Sequence, residues 1–170
     1  MSAAPPLATI PIGVVVERSK GSTQWADFFW RASAVLTGTP DTPAWTKLSD
    51  DGERATFYAG AADIELHRTE TTNYRDNLAT GEPLLWVVLR RTESEPPYNV
   101  FAVLADPAEG EAMTEAGNDL VEAVPMPESV RDAITRFVAE HHVERQFTKR
   151  KRDRGNTEAL AKPNERGRGG

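Results

Sequence analysis

A chain of 170 residues, 39% hydrophobic and without cysteine, suffices for one domain with extensions. It excludes disulfides, iron–sulfur ligation, thiolate zinc sites and thiol catalysis. The net charge of −6 is unevenly spread. From Thr148 to Gly170, eight basic and three acidic residues give +5, so the other 147 residues, with twelve basic and 23 acidic groups, carry −11. A basic tail on an acidic body is expected to meet an acidic partner or to fold back on its own body.

Met1–Thr9 is Ala/Pro-rich and has neither the basic region nor the apolar stretch of a secretory signal. The longest apolar run, Leu84–Leu89, falls well short of the ~20 residues a membrane helix needs. The cytoplasm is therefore the expected compartment, with no membrane contact. Ile10–Glu17 is β-branched and reads as a strand, with Pro11 at its start or on an edge. Phe28–Leu36 reads as a second strand. Arg54–Tyr58 and Ala62–His67 look like a hairpin turning at Ala59–Ala61 through Gly60. Leu84–Arg91 and Tyr98–Leu104 form a further pair, and Leu84–Leu89, apolar on both faces, is expected at the centre of a sheet.

Helices are expected at Glu70–Ala79, at Pro107–Glu115 and at Pro127–Val143. Asp106 would cap the second, Pro107 would open it and Gly117 would stop it. In the third, Val130, Ile134, Phe137, Val138 and His141 fall on one face. Leu120–Val124 is a short extended piece. Strands thus come mostly before helices. That order predicts an α+β fold: an antiparallel sheet of about six strands, open, rolled or closed into a barrel, with the C-terminal helix packed on it. The expected organisation is a flexible N-terminus (1–9), a single domain (10–147) and a basic, disordered tail (148–170).

Strand alternation places Asp63, Glu65 and His67 on one face, opposite Ile64 and Leu66. Two carboxylates and an imidazole could serve acid–base work, His67 with Glu65 as partners, or ligate a metal. The bland alternative is the solvated face of a half-buried sheet. His141 and His142 are adjacent, so their rings diverge by about 100° on a helix and do not chelate as an i, i+4 pair would. Nucleophile elbows, phosphate loops and dinucleotide fingerprints are missing. Most of the early aromatics read as core. Trp25 and Trp45, in turn-rich contexts, are candidates for a surface patch that could stack a base or a pterin. The cations Lys149, Arg150, Lys151 and Arg152 could meet phosphates, but the acidic body argues against gripping nucleic acid.

Five stretches together resemble a family of small proteobacterial proteins: IPIGVVVER (Ile10–Arg18), IELHRTETTNYRDNL (Ile64–Leu78), WVVLR (Trp86–Arg90), VPMPE (Val124–Glu128) and FVAEHHVERQFTKRKR (Phe137–Arg152). Members of that family tend to be encoded beside molybdenum-dependent formate dehydrogenase subunits and their maturation factors. Some are labelled as molybdopterin-guanine dinucleotide biosynthesis proteins. A guanine-nucleotide transferase of that pathway carries a Gly-rich loop after its first strand, where this chain has Gly13-Val-Val-Val-Glu17.

The resemblance implies a non-catalytic accessory protein for maturation or regulation of a molybdenum formate dehydrogenase. Its partner would be a dehydrogenase subunit or a maturation factor. Its relation to the molybdenum cofactor or its precursor would be indirect, with no cofactor or metal of its own. One edge of the contact surface would comprise His67, Arg68, Glu70, Tyr74 and Asn77, and another His141, His142 and the 149–152 run. Two alternatives stand beside it. One is a pterin- or nucleotide-handling enzyme using His67 and Glu65, and the other is nucleic-acid binding through the tail.

Overall fold

The structure, a computed structural model, describes residues 5–21 and 28–142. The expected disordered tail and Trp25 lie outside these residues. The described chain folds as α+β, with two antiparallel sheets where one was expected. Strands β1 (Ala8–Ser19), β2 (Phe29–Thr37), β3 (Thr46–Asp50) and β4 (Arg54–Leu66) pair in the order β2-β1-β4-β3. Strands β5 (Leu84–Arg91), β6 (Tyr98–Leu104) and β7 (Leu120–Pro125) pair in the order β6-β5-β7. Helix α1 (Thr71–Ala79) follows β4, α2 (Pro107–Ala116) follows β6, and α3 (128–142) follows β7.

The two sheets are not laddered into one closed barrel. They meet where β4 approaches β6 and where β2 approaches β7. Between them lies one core, to which β1 contributes Ile12, Val14 and Val16, and β5 contributes Leu85, Val87 and Leu89. As its apolar pattern predicts, β5 is the central strand of its sheet. Helix α3 closes the core with Val130, Ile134, Phe137 and Val138, the stripe legible in its sequence. No described helix is long and apolar enough to cross a membrane.

The hairpin expected between residues 54 and 67 is one strand of 13 residues. Both halves of β4 pair with β1, but Val14 lies opposite Gly60 and Val15 opposite Tyr58, which leaves Ala59 as an extra residue. This is a β-bulge. Gly60, at φ +137°, supplies a backbone conformation that residues with a Cβ avoid. The same glycine signal that suggested a turn therefore bends a continuous strand.

Helix α2 has the termini its sequence announces. The Asp106 carboxylate accepts from the Ala108 N–H at 2.9 Å, Pro107 occupies the first turn, and Gly117 closes the helix at φ +73°. Strand β3 went unpredicted, because TKLSD is polar and almost wholly exposed. It is recruited by backbone pairing to the edge of β4.

Candidate functional site

Beyond its bulge, β4 sends Ile64 and Leu66 into the core and turns Asp63 and Glu65 outward. This outer face forms one wall of an open cleft of about 550 Å³. Strand β6 supplies the second wall, through Val100, Phe101 and Ala102. Glu109 and Met113 of α2 complete it. The helix lies close because Gly110 rests on the Trp86 indole. A Cβ at that position would stand 2.3 Å from Trp86 Cγ. The lack of a side chain at 110 thus sets how near Glu109 and Met113 come to the strands.

The cleft is acidic. Asp63, Glu65 and Glu109 line it, and its lining contains no Lys or Arg. Burial, reinforced by the nearby carboxylates of Asp106 and Glu70, holds the Glu109 carboxyl above the usual glutamate range. His67 also lines the cleft, and its Nε2 lies 3.6 Å from Glu65 Oε1. On the outer wall, the Arg90 guanidinium stacks on the half-exposed Phe101 ring at 3.5 Å. Its charge is met by Asp119 through two hydrogen bonds of 3.0 Å.

The residues expected to form one contact edge divide between surface and interior. His67 lies in the cleft wall and Arg68 on the surface. Glu70 is half-buried and accepts from Thr69 Oγ1 at 3.1 Å. Tyr74 and Asn77 are instead buried, 2% and 4% exposed. Tyr74 Oη accepts from the His67 N–H at 3.0 Å. Asn77 Nδ2 donates to the carbonyls of Leu84 and Ala105, while its Oδ1 accepts from the Leu84 N–H. Both brace the backbone beneath the cleft, because α1 has to bury one face against the sheets.

The two histidines of α3 part company, as their adjacency predicts. The His141 ring lies 4.5 Å from the Phe137 ring, which packs against Tyr74. His142 points to the start of α1. Arg75 has only donors, so its guanidinium donates to His142 Nε2 at 3.0 Å. His142 Nδ1 lies 3.4 Å from Thr71 Oγ1. Neither ring lines the cleft. Among the described residues, no group of three or more His, Asp or Glu side chains is placed to hold a metal ion. Trp45, expected in a surface patch, packs edge-on against Trp30 and near Phe57. The 149–152 cations lie outside the described residues.

The parts of the cleft that sequence missed are Phe101, Glu109 and Met113. They come from elements distant in the chain: the approach of β6 to β4 brings Phe101 there, and the packing of α2 brings Glu109 and Met113. A family model, "protein of unknown function (DUF3305)", matches residues 11–151. The chain belongs to DUF3305. The match takes in all three walls of the cleft and also Lys149, Arg150 and Lys151. No curated protein and no solved structure matches this DUF3305 member.

Proposed function

We propose that this protein is a non-catalytic accessory factor that works by docking on another protein in the cytoplasm. The sequence resemblance directs the proposal to the maturation or regulation of a molybdenum-dependent formate dehydrogenase. The observation that carries the docking reading is the openness of the acidic cleft. The Glu65 side chain is 60% exposed, so water reaches the acidic wall freely. An open, charged groove with apolar walls suits a protein segment better than a small reacting molecule, which enzymes enclose.

The second reading makes His67 and Glu65 the acid–base pair of a pterin- or nucleotide-handling enzyme. The 3.6 Å between them favours it. The charge disfavours it, because Asp63, Glu65 and Glu109 would repel the phosphates that such ligands carry. Nucleic acid is disfavoured on the same ground. The test is co-purification of the tagged full chain from its host. Formate dehydrogenase subunits or maturation factors are expected in the eluate, and recovery of neither overturns the proposal.

A further inference from the structure

We propose that the acidic cleft is the docking site of the chain's own basic run, Lys149, Arg150, Lys151 and Arg152. This goes beyond the accessory reading and stands without it. Three independent features support it: charge, shape and position.

Charge comes first. The stretch from Thr148 to Gly170 carries +5 and the rest of the chain −11. The cleft concentrates part of that excess, with Asp63, Glu65 and Glu109 in its lining. Glu70 and Asp106 are close enough to raise the Glu109 carboxyl. Two like charges held together are relieved by a cation between them, and several cations on one strand of chain relieve several at once. The Arg90 guanidinium, stacked on Phe101 at the outer wall, is already engaged by Asp119 and does not discharge this group.

Shape is the second feature. The floor and walls include Ala61, Ala62, Val100, Ala102 and Met113. Long Lys and Arg side chains lay their methylene stems along such surfaces and extend their charged ends to acids at the rim.

Position is the third. Helix α3 delivers the chain to the start of α1, where His142 meets Arg75 and Thr71. Thr71 follows Glu70 directly, and Glu70 is one of the carboxylates that bear on Glu109. Residues 143–148 separate His142 from Lys149. Extended, they reach about 25 Å, more than twice the roughly 10 Å diameter of a helix. That reach exceeds the width of α1, whose first turn His142 meets.

A full chain carrying Asn156→Cys tests this, because the absence of native cysteine makes the introduced thiol the sole attachment point for a nitroxide spin label. Paramagnetic broadening is then read across the backbone amide resonances. Broadening is expected to concentrate on residues 61–67 and 100–104. It should be lost when Lys149, Arg150, Lys151 and Arg152 are all replaced by Gln. It should also be lost in the triple variant Asp63→Asn, Glu65→Gln, Glu109→Gln. In about 0.5 M salt, with a screening length of about 4 Å, it should weaken. Three results would overturn the proposal: broadening centred on Asp50, Asp51 and Glu53, three acids where β3 passes into β4, broadening spread evenly over the surface, or broadening that survives both sets of substitutions.

Discussion

Asn77 sits in α1, yet its amide is spent on two other parts of the chain. Nδ2 donates to Leu84 at 2.8 Å, where β5 begins, and to Ala105 at 3.2 Å, just after β6. Oδ1 accepts from the Leu84 N–H at 3.0 Å. Asn77→Ala leaves these buried groups without partners and should lower stability by about 2–4 kcal/mol, read as a lower midpoint in urea. Asn77→Asp should also destabilise, because a carboxylate cannot donate.

Tyr74 predicts a pH effect. Burial, with smaller contributions from nearby carboxylates, pushes its hydroxyl from 10.0 up to about 12, against the lowering effect of the His67 N–H. The unfolded chain therefore ionises first. This contribution to stability is complete below pH 10 and is lost as pH rises from there toward 12. Tyr74→Phe should remove that part of the alkaline decline. At neutral pH it should cost about 1 kcal/mol, because the His67 N–H loses its acceptor. Urea titrations of both proteins at pH 8 and above check the two effects together.

Among the elements, those with local signals were legible in the sequence. Asp106, Pro107 and Gly117 bound α2 within the chain's own neighbourhood, so their meaning survives folding. The α3 stripe and the doubly apolar β5 were equally plain. The β4 bulge was not, since Gly60 serves a turn and a bulge alike. Whether its two flanks face each other or a common partner depends on β1, some 45 residues earlier. The candidate site divides the same way. Alternation placed Asp63, Glu65 and His67 on one face, but Glu109 and Phe101 arrive only through tertiary packing.

The seat of α2 on Trp86 is the element-level feature on which the cleft depends. Gly110→Ala puts a methyl inside the indole, so the helix has to lift. A loss of about 1–3 kcal/mol is expected, with a shift in tryptophan fluorescence as Trp86 gains water. Ile134→Ala, in the fully buried stripe of α3, should cost about 2–5 kcal/mol, read by thermal or urea unfolding.

For the whole molecule, two sheets and one core present an open acidic groove, while the family match extends into the basic run beyond α3. The proposed role has such a protein act through what it holds. The central claim is that no proton transfer by its side chains is needed. Formate dehydrogenase activity in a host lacking this chain, restored with the His67→Ala variant, tests that claim most directly. Loss of one contact in a docking surface should lower the restored activity by no more than about tenfold. A fall of about 10²-fold or more, with the variant folded and present at normal level, is the scale of a lost general acid or base and would contradict the account.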